Sequence, residues 1–257
     1  MFWIFSTHPQ LNESPTESAI QHKLALENEK GTALNFGLED PGDAPQQIRG
    51  LVQLGYQIMI NTEQNAKEYV GNRLSCTNCH FAGGISSGNK GDGLSLAGVA
   101  AKYPLYNERA KKVINLPTRI NNCFERSMNG KPLPLDSKEM LALETYFHWI
   151  SKGFPIYEKA PWLSMKIISQ TYQVDATRGE RIFESQCSLC HGNDGNGDKA
   201  GPPVWGDGSF NNGAGMANRG ILSTFIFENM PYGQPCLSEE SALDVAEYLL
   251  SKPRPRF

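Results

Sequence analysis

The sequence predicts a mostly α-helical protein, with two similar helical domains following an N-terminal helical extension. Three observations predict it. Apolar residues recur at spacings of three and four in several stretches, the period of a helix with one buried face. The order helix, Cys-x-x-Cys-His, loop, closing helix occurs twice along the chain. Finally, 257 residues at roughly 150 per domain suit one to two domains.

The first element starts at Ser14, Pro15 and Glu17, which supply an N-cap, a proline at the first helical position and a capping-box partner, and it is expected to end near Gly31. From Ala44 to Asn61 the residues Ile48, Leu51, Val52, Tyr56 and Met59 mark an amphipathic helix leading to Cys76-Thr77-Asn78-Cys79-His80. Asp136 and Glu139 give a capping-box pattern ahead of Met140, Leu143, Phe147 and Ile150, a helix that stops at Gly153. Phe154 to Gln170 reads as a linker. In the second half a helical stretch around Ala176 to Glu184 leads to Cys187-Ser188-Leu189-Cys190-His191. A glycine-rich loop follows, then a closing helix from Ser238 carrying Leu243, Ala246, Leu249 and Leu250. The closing helices align at an offset of 102 residues, pairing Leu135 with Leu237, Leu141 with Leu243 and Tyr146 with Tyr248. Such a long offset marks duplicated domains, since solenoid periods run at roughly 20 to 50 residues. The expected division is residues 1–44 as extension, 45–155 as first domain, 156–172 as linker and 173–257 as second domain.

Composition excludes several classes. Lys+Arg 24 against Asp+Glu 27 gives a net charge of -3, without the basic excess of a nucleic-acid-binding surface. The longest apolar runs are a handful of residues, so no transmembrane segment is expected. Met1 to Phe5 is apolar but lacks a basic region before it and a full hydrophobic core after it, so no intact signal peptide is read. It reads as the tail of a longer leader or an artefact of the gene start. Apolar residues are 39%, and Gly 25 with Pro 16 make roughly one residue in six, a loop-rich recipe in which a bound cofactor supplies missing core.

The two Cys-x-x-Cys-His runs identify that cofactor. Two thiols at this spacing form thioethers to the vinyl groups of a porphyrin, and the next residue places an imidazole on the iron, which is the attachment signature of c-type haem. Zinc also takes Cys-x-x-Cys pairs, but these two lie 111 positions apart, against about 15 to 20 in zinc ribbons, and each carries the adjacent histidine. Two covalently bound haems are expected, held by Cys76, Cys79 and His80, and by Cys187, Cys190 and His191.

Each iron has a second axial position, whose occupant sets potential and reactivity. In the second domain Met230, 39 residues after His191 and just before the closing helix, stands where small cytochromes c place a methionine ligand; Met216 competes. The corresponding place in the first domain holds Cys123, 43 residues after His80. A cysteine there can be a small buried apolar residue, a disulfide partner of Cys236, a surface thiol or a ligand. Its neighbourhood favours the last. From Arg109 to Lys131 six basic residues face the single acid Glu125, a local net of +5. Cations favour the thiolate, the form that ligates metals and attacks sulfur, and arginines suit bidentate binding of oxyanions. Lys111 and Lys112 read as a solvated face; Arg109, Arg119 and Arg126 as candidates for an anion site.

On these residues the sequence resembles the dihaem thiosulfate dehydrogenases, a family that includes tetrathionate reductases. The carrying segments are Asn72-Arg73-Leu74-Ser75 with the first haem motif, Tyr103-Pro104-Leu105-Tyr106 through Arg109, Arg119 through Gly130 with Leu133-Pro134, Gly213-Ala214-Gly215-Met216, and Asn229-Met230-Pro231. The match runs from about residue 45 to 252. The resemblance implies two cytochrome c-like domains, each enclosing one haem, with His80 and Cys123 on the first iron and His191 with a ligand near Met230 on the second. It implies that Arg109, Arg119 and Ser127 line the active site with Cys123, that thiosulfate and tetrathionate are interconverted, and that electrons pass to or from an external cytochrome or other redox partner in a bacterial periplasm. Some members place a lysine ligand directly before the methionine; Asn229 excludes that here. Cys236 falls outside the pattern and reads as an unpaired thiol. The rival readings are a dihaem electron carrier without its own substrate and a cysteine-ligated haem subunit of a sulfur-oxidising complex.

Overall fold

A computed structural model of the chain describes residues 24–27, 33–36 and 40–257, apart from 87 and 199. The expected helix start at Ser14 lies outside the described residues. The helix expected to run to Gly31 is corrected in its described part, where β1 (Leu24–Glu27) pairs antiparallel with β2 (Ala33–Phe36). Six α-helices of 11 to 13 residues, three in each half of the remaining chain, carry most of the fold: α1 (Arg49–Ile60), α2 (Leu116–Arg126), α3 (Lys138–Trp149), α4 (Ala176–Gln186), α5 (Arg219–Asn229) and α6 (Glu239–Ser251). A short antiparallel hairpin of β3 (Leu105–Asn107) and β4 (Lys112–Ile114) precedes α2.

Side chains start these helices. Asn115, Ser137, Asp175, Asn218 and Ser238 each accept a backbone N–H from the first turn of α2 through α6 in order, satisfying donors that have no partner inside the helix. The cap of α3 is thus Ser137, whose Oγ takes the Met140 N–H at 3.1 Å, not the Asp136 of the expected capping box. The closing helix α3 ends at Trp149, and Gly153, at φ +80, turns the chain away.

In each half the first long helix crosses the last, α1 against α3 and α4 against α6, and α5 also packs on α6. Both crossings rest on a glycine. A Cβ on Gly55 would run into the Ala142 carbonyl and the Tyr146 Cβ; one on Gly179 would run into the Asp244 carbonyl and lie 3.0 Å from the Tyr248 Cβ. Tyr146 and Tyr248 are the two tyrosines that the repeat offset pairs. Around the first crossing Val52, Ile58, Met59, Met140, Leu143 and Ile150 are buried; around the second Phe183, Leu222, Ile226, Val245 and Leu249 are. Asp244 is wholly buried, and its carboxylate takes the Asp175 N–H at 2.7 Å and the Arg178 Nε at 2.5 Å, tying the start of α4 to α6.

The halves meet along a third cluster, Leu74 and Met128 from one side with Phe210 and Ala214 from the other. Buried amides stitch this seam. Asn72 Nδ2 donates to the carbonyls of Ser127 (2.8 Å) and Ser209 (3.0 Å), and Asn211 Nδ2 donates to the Glu125 carbonyl (2.8 Å). Residues 156–172 lie against both halves: the Trp162 Nε1 donates to the Ala97 carbonyl at 2.8 Å, and the Ile168 N–H to Thr224 Oγ1 at 3.1 Å.

Adding a methyl at a crossing should therefore cost more than helix propensity returns. Gly55→Ala and Gly179→Ala should each destabilise the haem-loaded protein by about 1–3 kcal/mol through overpacking. Gly50→Ala, on α1 with nothing near its missing Cβ, should stabilise by about 0.4–1 kcal/mol. Denaturant titrations of the three variants check both signs.

Candidate functional site

The first haem motif sits on a 3-10 turn, Cys76–Asn78, just beyond α1. Ser75 and Asn78 cap this turn reciprocally, with the Ser75 N–H donating to Asn78 Oδ1 at 2.7 Å. Thr62 braces it, its Oγ1 accepting the Cys76 N–H at 3.1 Å while donating to the Ile58 carbonyl at 2.8 Å. The second motif continues α4, with Cys187 as its C-cap and one further helical turn, Ser188–His191.

Both histidines are oriented alike. The Nδ1 of His80 lies 2.8 Å from the Leu94 carbonyl and that of His191 2.7 Å from the Pro202 carbonyl. A carbonyl only accepts, so Nδ1 carries the proton and Nε2 keeps its lone pair for a metal. Burial pushes His80 down to about 4, with the Arg119 charge adding to the fall, and also lowers His191, so both imidazoles are neutral at neutral pH. Burial likewise pushes the thiols of Cys76 and Cys79 up to about 12 and that of Cys187 to about 11. All six cysteines are free, and among the described residues no three Cys, His, Asp or Glu side chains converge as around zinc. Paired neutral thiols beside a pre-oriented imidazole fit covalently attached haem.

Cys123 projects from α2 into the first of these sites. Its charge acts on Cys76 and Cys79, and that of Arg119 acts on His80, so the motif, the cysteine and the arginine share one pocket. Arg119, one turn earlier on α2, donates from Nη1 to the Cys123 Sγ at 2.6 Å. The Cys123 sulfur holds Arg119 above its ordinary value. Ser127, one turn further on, is the C-cap and donates its N–H to the Cys123 carbonyl at 2.8 Å. Arg119, Cys123 and Ser127 thus form one helix face at i, i+4 and i+8. Arg109 lies in the turn between β3 and β4, and its charge reaches Arg126.

One residue to which the sequence assigned no site role, Tyr103, belongs here, together with Arg126, which the sequence read as a candidate for the anion site. Tyr103 is half-buried between Arg119 and Cys123 and is raised by burial, against the pull of Arg119; its place in the Tyr103–Tyr106 segment was its signal. Arg126 is pushed down by burial and then by Arg109 and Arg119, and its buried Nε has no partner. Arg126 thus lies within reach of both other guanidinium groups, and Arg119 is bonded to the sulfur; such a concentration of positive charge favours anions.

In the second half Met230 is the C-cap of α5, and its partly buried side chain packs on the α4–α6 core. Met216, on the 3-10 turn Gly215–Ala217, reaches the same core and also the seam. Cys236 is exposed, its Sγ 3.9 Å from Gln186 Oε1, and it forms no disulfide with Cys123.

Comparison with known proteins agrees with this geometry. Residues 64–156 match the SoxA/TsdA cytochrome c domain, and residues 174–249 match the model of cytochrome c oxidase, cbb3-type, subunit III. The chain is 41% identical to a thiosulfate dehydrogenase of Thiomonas intermedia, covering 88% of this chain and 73% of that protein. It is 40% identical to one of Stutzerimonas stutzeri, covering 83% and 71%. The structure superimposes on thiosulfate dehydrogenase (TsdBA) from Marichromatium purpuratum, as isolated, with a TM-score of 0.77 at 28% identity, covering 82% of this chain and 48% of that one. Two cytochrome c domains with two covalently bound haems follow, and the chain belongs to the thiosulfate dehydrogenase family.

Proposed function

We propose that the protein is a dihaem oxidoreductase that interconverts two thiosulfates and tetrathionate at Cys123, exchanging two electrons with an external cytochrome or other redox partner. The observation that carries this is the Arg119 guanidinium held 2.6 Å from the Cys123 sulfur, beside Arg126, which burial and then the charges of Arg109 and Arg119 push down. A pure electron carrier has no use for unneutralised arginines around a haem ligand, and relatives over most of the chain are enzymes.

Charge is the obstacle to the reaction. Each pair of unit charges at 4 Å costs about 1 kcal/mol in water and about 4 kcal/mol at an effective dielectric of 20, and two dianions must meet. Arg109, Arg119 and Arg126 offset that repulsion, with Ser127 completing the oxygen-binding face. The Cys123 thiolate bonds to the outer sulfur of one thiosulfate, giving a Cys–S–S–sulfonate adduct and releasing two electrons. The terminal sulfur of the second thiosulfate attacks the middle sulfur of that adduct, the one bonded to both Cys123 Sγ and the sulfonate, forming the central S–S bond of tetrathionate as the Cys123 thiolate leaves. Charge balances in both steps, and the reverse sequence reduces tetrathionate. When bound, the two haems supply a one-electron sink each between substrate and partner.

In the assignment of ligands, His80 and Cys123 serve the first haem, and His191 and Met230 the second. Thioether ligation favours ferrous iron and thiolate favours ferric, so electrons leave oxidised substrate toward the second haem. Among the described residues no helix is long and apolar enough to cross a membrane, and thioether attachment takes place outside the bacterial cytoplasm, which suits a periplasmic enzyme.

Matured with a haem-attachment system, the protein should gain the mass of two haems and keep its colour through acid-acetone extraction; a colourless extracted protein refutes the reading. Cys123→Gly should retain both haems while thiosulfate oxidation and tetrathionate reduction each fall by orders of magnitude in steady-state assays. Turnover near the parent rate would reduce Cys123 to a ligand or packing residue. Met230→Gly should abolish the methionine-to-iron absorption band at the red end of the ferric spectrum and lower the second potential. If Met216→Gly does so instead, Met216 is the ligand.

A further inference from the structure

Asn229 is 2% exposed and belongs to α5 in the second half, yet its side chain is engaged with the first. Its Oδ1 accepts the Gly93 N–H at 2.8 Å, while its Nδ2 donates to the Phe225 carbonyl at 3.1 Å. The residue after Gly93 is Leu94, whose carbonyl accepts from His80 Nδ1 at 2.8 Å and whose N–H donates to the Cys79 carbonyl at 2.9 Å. The residue after Asn229 is Met230. One buried amide therefore stands a single residue away from the carbonyl that orients the proximal histidine of the first haem and a single residue away from the methionine assigned to the second.

The segment around Gly93 has little freedom to move independently. The Gly91 N–H donates to the Glu228 carbonyl at 2.8 Å, and the Lys90 ammonium lies 4.1 Å from the Phe227 ring centroid. Gly93, at φ +71, is close enough to Phe81 that a Cβ would meet its ring at 2.6 Å. Phe81 in turn packs edge-on against Phe225 and Tyr232. Residues 90–94 are clamped between the first haem motif and the end of α5, and Asn229 supplies the buried side-chain bond in that clamp. A lysine at this position would offer no acceptor to the Gly93 N–H.

We infer that Asn229 is a positioning residue that couples the two haem sites, holding the Leu94 carbonyl against His80 and anchoring the chain before Met230. The inference rests on the two-haem reading above; only its second half depends on Met230 being a ligand. The physical consequence is a pair of shifts of opposite sign. A firm hydrogen bond from Nδ1 makes an imidazole a stronger donor to iron, which favours the ferric state. Loosening it raises the first potential. Loosening Met230 weakens thioether ligation and lowers the second.

The test is a spectroelectrochemical titration of both haems in the haem-loaded protein. Asn229→Leu keeps the volume and removes the acceptor. It should raise the reduction equilibrium of the first haem three- to tenfold, a tenfold change being about 59 mV for one electron, and should weaken the methionine band of the second. Asn229→Asp keeps an acceptor for Gly93, and a negative charge there favours the ferric state, so the first haem should not rise as it does with leucine. Asn229→Ser, too short to reach Gly93, should repeat the leucine shift and serves as the second test where leucine impairs folding. A first haem unchanged in the leucine and serine variants overturns the inference, as does an aspartate variant that shifts as leucine does. Fewer than two haems in the parent would instead overturn the functional reading.

Discussion

Two helices can approach until backbone meets backbone only where one of them has no side chain, and in each half of this protein that place is a glycine facing a tyrosine-bearing helix. Gly55 sits against Ala142 and Tyr146, and Gly179 against Asp244 and Tyr248. The crossing fixes where the first helix ends and therefore where the Cys-x-x-Cys-His segment begins. From there the rest is determined locally: Thr62 braces the first motif, α4 runs straight into the second, and a loop carbonyl meets each histidine. The tight helix pair forms the core of each half, with the haem motif directly beside it.

On that scaffold the two halves diverge where chemistry requires it. In the second, an apolar helix ends in a methionine against an apolar core, surroundings suited to electron transfer. In the first, the corresponding helix is polar and places Arg119, Cys123 and Ser127 on one face, with Arg109 and Arg126 near enough to feel one another. The arginines repel each other in the resting protein, a repulsion that the dianionic substrate proposed above would relieve. On that proposal substrate binding and the organisation of the site are one electrostatic event, with Cys123 at its centre through its bond to Arg119.

The repeat, both haem motifs, α1, α3, α4 and α6 were legible because each carries a period or a spacing. The helices that hold the distal candidates were not. In α2 the core contacts are only Leu116, Ile120 and Phe124, spaced by four but separated by Pro117, Asn121 and Asn122, residues of low helix propensity; the charge pattern there was easier to read than the fold. In α5 the opposite holds, since Leu222 through Ile226 are all buried and an all-round apolar helix shows no amphipathic period. Leu24 to Glu27 consists of good helix formers, and its strand pairing with residues 33–36 comes from a partner that local propensity does not encode. The same applies to the site. Cys123 and Arg119 could be found from the local charge, whereas the Leu94 and Pro202 carbonyls lie 14 and 11 residues from their histidines, with no side-chain signal to mark them.

The seam between the halves explains why the protein relies on asparagine at Asn72, Asn211 and Asn229. Each is buried and each bonds across to backbone of the other half or of the helix bearing Cys123. A buried amide left unpaired costs about 1–3 kcal/mol, so each of these side chains tolerates one relative placement of the halves and penalises others. Apolar residues such as Leu74 and Phe210 contribute burial at the same seam, but burial is non-directional and allows sliding. Two haems that exchange electrons need a fixed separation, and a histidine that holds a haem iron needs to be kept still. Directional bonds from uncharged side chains meet both needs without placing a further charge beside the irons, where it would shift their potentials.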